Sequence, residues 1–329
     1  MPITIAMYEK SHEHIAKRLA ALGLDIKVHT FGKDGLYDVD GRKVPPAEMD
    51  VDYMWLTSHL NLDNFRDKAF DLCLATRSIK VLQTFNAGLD HPFYKKASDK
   101  GVRICNSSAQ GVAIAEYTIG QVMAVLQPIE LQRQLQLHKE WKTTPFREIS
   151  QTRWLIVGFG PIGQEIAKRV KAFGADVDVV RRSPSESPHV DRMGRTADLP
   201  AFTREADVIV IACPLNADTR GMVDAHFFGN VKQGAILVNI ARGGLIDDAA
   251  LIAALDSGRL STAILDVFHQ EPLPLDNPFW EHPKVRLTSH TSFSGNGSRG
   301  RWDQLFLDNL PRYVNGQSLM FEVNPKDIV

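Results

Sequence analysis

Short apolar blocks recur along this chain, separated by stretches of helical spacing. The blocks Ile3–Met7, Asp25–Val28, Val51–Leu56, Ile79–Phe85 and Val102–Cys105 read as strands. Ser11–Leu22 and Asp63–Ala75 read as helices between them. Strands alternating with helices predict a parallel sheet covered on both faces. Gly32–Gly41, rich in Gly and Asp, reads as a loop. These elements make one unit at about residues 1–107.

A long helical segment follows over Gln110–His138, and Pro128 predicts a kink or break in it. Its apolar positions Val112, Ala115, Ile119, Val122, Met123 and Leu126 form a helix stripe. Then comes the clearest strand–turn–helix of the chain: Trp154–Val157, the turn Gly158–Gly163, and the helix Gln164–Phe173. Further strands are expected at Val177–Val180, Val208–Ala212, Ile236–Asn239, Ala263–Val267 and Val285–Thr288, with helices at Asp224–Gly229 and Asp247–Ser257. This second α/β unit covers residues 108–293. Residues 294–329, with a helix at Gly300–Val314, return to complete the first unit.

The 329 residues suit two domains. Apolar residues at 44% and charged residues at 23% fit a folded globular protein rather than a disordered one. With 38 Lys and Arg against 39 Asp and Glu, the surface is not built for general binding to nucleic acid or acidic membranes. No apolar run approaches the roughly 18 residues of a membrane helix, and no secretory signal is evident at the start. Cys73, Cys105 and Cys213 are scattered, without metal-ligand spacing. The expectation is three buried thiols, no metal and a cytoplasmic location.

Gly158-Phe159-Gly160-Pro161-Ile162-Gly163 is G-x-G-x-x-G between a strand and a helix. The first glycine permits the tight turn, the second lets backbone approach a pyrophosphate, and the third lets helix and strand pack closely. The free N–H groups at the helix start then face the phosphates, where Pro161 and Ile162 open the helix. An acidic residue at the end of the next strand would accept from the ribose hydroxyls of NAD. Here that position reads Arg181-Arg182-Ser183. Two guanidiniums and a hydroxyl suit a 2′-phosphate instead, so the expected cofactor is NADP(H) by preference, with NAD(H) possible. A solvated arginine pair is the plainer reading.

Four downstream segments carry a resemblance. They are Ala206–Val210 leading to Pro214 and Thr219, Val238–Asp247 around Arg242, Leu265–Pro274 around Glu271, and Leu287–His290. Their order and spacing resemble the D-isomer-specific 2-hydroxyacid dehydrogenase family, glyoxylate/hydroxypyruvate reductases in particular. The resemblance implies an α/β protein of two doubly wound parallel-sheet domains. A Rossmann dinucleotide-binding domain is inserted into a flavodoxin-like substrate domain. It also implies reduction of a small 2-keto acid to the D-2-hydroxy acid. Arg242 then binds the substrate carboxylate and polarises the carbonyl. His290 serves as general acid and base beside the cofactor, and Glu271 fixes its ring. Asn86–Asp90 resembles the substrate loop, which makes Ala87 and Gly88 donors to the carboxylate. Pro214, Thr219, Ala241 and Asp266 fall where the family contacts the cofactor. The segment Gln110–His138 resembles the family's dimerisation arm and implies a homodimer.

The chain departs from the family pattern at Ser289, where a proline is usual, and over Thr291–Gly297. Those departures lie beside the substrate and leave its identity open, including bulkier 2-hydroxy acids. Phe293, Arg299, Trp55 and His59 are candidate pocket residues, with packing or surface roles as the plainer reading. A dinucleotide-sensing protein, like the family's corepressor relatives, would keep the same motifs; catalysis separates the two.

Overall fold

The computed structural model describes residues 2–328, and the chain divides into two α/β units, residues 2–110 with 296–328 and residues 111–295. The first unit holds a seven-stranded sheet ordered β4-β3-β2-β1-β5-β6-β7. Its strands are β1 Ile3–Tyr8, β2 Ile26–Phe31, β3 Tyr37–Val39, β4 Arg42–Val44, β5 Asp50–Trp55, β6 Ser78–Gln83 and β7 Arg103–Cys105. From β2 to β7 the pairing is parallel, in the doubly wound order of the flavodoxin type. One face packs around Tyr8, Phe31, Phe70 and Phe93. The other packs around Ile5, Tyr53, Trp55 and Phe306, the last from the helix Ser298–Val314.

Two features of this unit differ from the sequence reading. The segment expected as a loop contains β3, which pairs antiparallel with β2 and, through a hairpin, with β4. The hairpin turns at Asp40-Gly41, both with positive φ (52° and 83°), the backbone that an Asp-Gly turn adopts readily. Its strands are only three residues each, too short to show alternation. A helix also forms at Pro92–Asp99, with proline in its first turn and the His91 side chain accepting from Phe93 N–H.

The second unit holds the strands β8 Arg153–Val157, β9 Asp176–Val180, β10 Arg192–Gly194, β11 Val208–Ile211, β12 Ala235–Asn239, β13 Leu260–Leu265 and β14 Val285–Leu287. Their order is β10-β9-β8-β11-β12-β13-β14, and every pairing is parallel. The strand β11 is apolar end to end and β12 is apolar as far as Asn239, as a sheet buried on both faces requires. The chain runs outward one way from β8 and the other way from β11, so the crevice at their carboxyl ends is the topological switch point where such folds bind ligands. The short edge strand β10 and the helix Leu199–Thr203 carry too little periodicity to be read from sequence.

The expected long helix is two: Gly111–Leu126 and Ile129–Leu137, bent by 58° at the Gln127-Pro128 break. Among the described residues no single helix is long and apolar enough to cross a membrane; only the two helices of this bent pair taken together reach that length. Gly111–Leu126 is largely buried against the helix Pro161–Ala172. Ile129–Leu137 contains no buried residue. Cys73 and Cys105 are buried as expected, whereas Cys213 is only partly buried, because it stands just beyond β11 where the chain leaves the sheet.

Candidate active site

The glycine turn sits at the switch point. Gly158 follows β8 with φ at 102°, and a Cβ there would lie 2.6 Å from Cys213 N and 2.7 Å from the Ala212 carbonyl. Only glycine lets this turn touch the segment leaving β11. A Cβ on Gly163 would meet the Gly158 oxygen at 2.4 Å, so this glycine lets the helix Pro161–Ala172 close on the turn. A Cβ on Gly160, by contrast, would meet nothing within 4 Å. That glycine opens onto space in front of a twelve-residue helix that no side chain caps. Pro161 takes the first helical position, where its missing N–H costs nothing. The following N–H groups, of Ile162 and Gly163, point toward that space, which fits the pyrophosphate of a dinucleotide.

The next strand ends beside this turn. Gly158 N–H donates to the Val180 carbonyl at 2.8 Å, which brings Arg181 to the same edge. Arg181 N–H donates to the Gly194 carbonyl, and its guanidinium donates to Ser185 Oγ at 3.1 Å. Arg182 and Ser183 follow on the exposed side. The nearest carboxylate in the strand, Asp178, is fully buried and held by Arg192 at 2.6 Å and Arg153 at 3.2 Å. It is committed to the sheet and stands away from the strand tip.

On the far side of the switch point, β12, β13 and β14 position Arg242, Glu271 and His290. His290 Nδ1 lies 2.7 Å from Glu271 Oε2. The other carboxylate oxygen accepts from Phe268 N–H at 2.9 Å, so Glu271 is anchored to its own turn. Nε2 of His290 has no hydrogen-bond partner among the described residues. His290 has a positive φ of 48°, uncommon for a residue with a side chain, and its N–H is fixed to the Asp266 carbonyl at 2.8 Å. Asp266, 1% exposed, accepts from Thr288 Oγ1 at 2.6 Å, Thr291 N–H at 2.8 Å and Ser292 N–H at 3.0 Å. Tyr117 shares a hydrogen bond with the same Thr288 hydroxyl at 2.7 Å, and burial raises its phenol to about 12. The loop that carries His290 is thus tied down on both flanks.

Arg242 follows β12. Its Nη1 donates to the Ala241 carbonyl at 2.7 Å, and Asn239 secures its backbone oxygen at 3.0 Å. The adjoining Gly243 admits no side chain: a Cβ would lie 2.0 Å from Phe268 C and 2.3 Å from His269 N. His269 Nε2 lies 2.8 Å from the Ile246 carbonyl across the same seam. The turn that carries Arg242 and the turn that carries Glu271 therefore lock backbone to backbone.

Pro214 and Thr219 shape one loop after β11, where the Thr219 hydroxyl donates to the Pro214 carbonyl at 2.7 Å and accepts from Asn216 N–H. Ala241 N–H is held by Asn239 Oδ1 at 3.1 Å. In the other unit, Ala87 and Gly88 follow β6. Asn106 braces the Ala87 carbonyl at 2.7 Å, while neither residue's N–H has an acceptor among the described residues. Trp55 is a core residue, 2% exposed and stacked on Phe306 at 4.2 Å. His59 sits among Thr57, Ser11 and His14; burial, then Arg299 and His14, lowers its pKa. Phe293 sets its ring edge-on to His290 at 6.0 Å. No group of three metal-ligating side chains occurs among the described residues.

The family described as D-isomer specific 2-hydroxyacid dehydrogenase, NAD binding domain, matches residues 119–292, over half of the chain. The chain belongs to the D-isomer-specific 2-hydroxyacid dehydrogenase family. Among similar members of this dehydrogenase family is glyoxylate/hydroxypyruvate reductase A of Salmonella paratyphi B, 32% identical over 225 residues, 66% of this chain and 72% of the relative. A solved family protein from Aeromonas salmonicida matches 99% of this chain and 100% of its own, with a TM-score of 0.78 and 26% identity. The NADPH-dependent glyoxylate/hydroxypyruvate reductase of Sinorhizobium meliloti, solved with NADP and sulfate, has the same fold, with a TM-score of 0.76, 23% identity and full coverage of both chains. The chain is accordingly an NAD(P)-dependent 2-hydroxyacid dehydrogenase. The matched segment, described as the family's NAD-binding domain, lies within the unit that carries the glycine turn and the His290–Glu271 pair. Of the residues that lock this dehydrogenase's site, Gly243, His269 and Thr288 stand inside the segments that carry the family resemblance, but their locking roles, like that of Tyr117, are not visible in the sequence. The one signal for Thr288 was its place two residues before His290 at a strand end.

Proposed function

We propose that this dehydrogenase reduces a small 2-keto acid of the glyoxylate or hydroxypyruvate kind to the D-2-hydroxy acid, with NADPH preferred. The observation that carries the reading is the state of the His290 ring, with one nitrogen on Glu271 and the other open. A proton held on Nδ1 by the carboxylate leaves Nε2 to exchange the reacting proton. His290 then protonates the carbonyl oxygen during reduction and takes that proton back during oxidation. Arg242 holds the substrate carboxylate and draws charge toward the carbonyl oxygen, the work of a fixed, always-charged fork. In the other unit, the open N–H groups of Ala87 and Gly88 are suited to hold a carboxylate, as the family resemblance implies. The nicotinamide, when bound, supplies the hydride.

Gly158, Gly160, Pro161, Ile162 and Gly163 would seat the pyrophosphate. Pro214, Thr219 and Ala241 would border the cofactor beyond it. Asp266 and His290 would face its nicotinamide end, while Asp266 also holds the His290 loop. The absence of a free carboxylate at the β9 tip, and Arg181, Arg182 and Ser183 in its place, favour a 2′-phosphate. The Salmonella relative's activity and the NADP bound to the Sinorhizobium enzyme point the same way. The protein would act in the cytoplasm as a homodimer, paired through the exposed helix Ile129–Leu137.

The test is oxidation of NADPH and of NADH, followed at 340 nm, with glyoxylate, hydroxypyruvate and bulkier 2-keto acids. Turnover is expected to be fastest with NADPH and the two small acids. Tight NADPH binding without turnover on any of them would mark a dinucleotide sensor instead.

A further inference from the structure

The geometry points to Ser185 as a specificity-determining residue of the cofactor site, one that aims Arg181 at the 2′-phosphate and adds a hydrogen bond of its own. The inference rests on the reading of Arg181 as a 2′-phosphate ligand and extends it to a loop that nothing so far assigns. Arg181 has one side-chain partner among the described residues, and it is Ser185 Oγ at 3.1 Å. Both residues are fixed to the same edge strand. Arg181 N–H donates to the Gly194 carbonyl at 3.1 Å, and Ser185 N–H donates to Met193 Sδ at 3.1 Å. The four-residue interval between guanidinium and hydroxyl is therefore closed at both ends against β10.

The chemistry follows from which group donates. A guanidinium has only donors, so in this contact the serine oxygen accepts and its own proton stays available. An anion gripped by the other Arg181 donors lies beside that proton. A 2′-phosphate has acceptors enough for both partners, whereas a ribose hydroxyl presents only one oxygen. An unbraced arginine spreads over many rotamers, and a neutral brace removes that freedom without cancelling its charge. A carboxylate at the same place would do the reverse, because it would neutralise Arg181 and imitate the phosphate. Ser183, nearer in sequence, makes no hydrogen bond among the described residues. Beside the loop lies an open cavity of about 800 Å³ bordered by Ser185, Pro188 and Met193, so a longer side chain at 185 has room.

The experiment measures binding by calorimetry, with adenosine 2′,5′-bisphosphate against AMP, on the wild-type chain and on S185A, S185E, R181A and R181A/R182A. Kinetic constants with NADPH and NADH are measured beside it. S185A should weaken the bisphosphate about tenfold, the usual worth of one hydrogen bond to a charged group. The losses in AMP affinity and in kcat/KM with NADH should be clearly smaller than the losses with the bisphosphate and NADPH. S185E should weaken the bisphosphate further and shift the preference toward NADH. If R181A weakens the bisphosphate while S185A and S185E do not, the inference is overturned and the NADP reading stands. If S185A weakens AMP as much as the bisphosphate, Ser185 only shapes the loop, and the inference is equally overturned. If R181A leaves the bisphosphate unaffected, Arg181 is not its ligand and the inference falls, while the NADP reading then rests on Arg182 and Ser183 and fails only if R181A/R182A is also unaffected.

Discussion

His290 and His29 show how the same side chain takes opposite roles according to its neighbours. The His290 ring is held at one nitrogen by Glu271 and left open at the other. His290→Ala should therefore lower kcat by about 10²–10⁴, the range for a lost general acid. Glu271→Gln keeps an acceptor but loses the charge, and should cost less than removing the ring. Near-wild-type turnover in His290→Ala would remove it from the chemistry. His29 is 4% exposed on β2, and its Nδ1 has no hydrogen-bond partner. Burial, and then the Lys27 charge, push its pKa below the ordinary value, against the weaker pull of Asp40 and Asp38. The unfolded chain thus binds a proton near pH 6.5 that the folded chain refuses. Its stabilising effect is complete above that pH and is lost as pH falls through and below it. His59, also lowered, acts in the same direction. Urea midpoints measured from pH 7.5 to 5 should decline in the wild-type chain and decline less in His29→Leu. Parallel curves would show that His29 does not carry this dependence.

At the level of elements, the geometry proposed for catalysis depends on two turns meeting backbone to backbone. Gly243 is the contact point, since a Cβ would fall far inside van der Waals contact with Phe268 and His269. Gly243→Ala must push the Glu271 turn away from the Arg242 turn. A displacement of about 1 Å costs on the order of 10²-fold in rate. The expected result is a fall of that size in kcat/KM, with NADPH affinity nearly kept, because the glycine turn after β8 is untouched. Unchanged kcat/KM would mean that the two turns are not coupled. Such a constraint is hard to see in a sequence, because Gly243 and His269 are brought together by β12–β13 pairing rather than by spacing. What spacing did disclose were local signals: the glycines between β8 and its helix, Pro128 at the helix break, and the apolar runs of buried strands. The hairpin at Asp40-Gly41 was missed because its strands are too short for period-two alternation. Arg242, Glu271 and His290 were legible through family resemblance alone, since lone Arg, Glu and His residues carry no periodic signal.

Across the whole molecule, half of the large apolar side chains left exposed among the described residues fall on one segment. The helix Ile129–Leu137 buries none of its residues, although Ile129, Leu131 and Leu137 are 47%, 51% and 59% exposed. Phe146 at 55% and Trp141, fully exposed, extend the patch along the following segment. Scattered apolar residues on a surface need no explanation, but five large exposed side chains within residues 129–146 favour an interaction site along this stretch. Pro128 turns this helix by 58° away from its buried predecessor, so the fold spends a kink on presenting it. A cyclic pair is the commonest arrangement for a self-complementary patch, since each copy covers the other. Light scattering should accordingly give twice the 36.7 kDa chain mass. Leu131→Glu with Leu137→Glu should shift the protein toward the monomer, since each charge would be buried unpaired at the contact. The glycine turn and the His290–Glu271 pair lie outside the patch, so cofactor binding in the double variant reports whether each copy's site needs its neighbour. A wild-type chain that runs as a monomer at micromolar concentration would leave the patch to another partner and remove the homodimer from the reading.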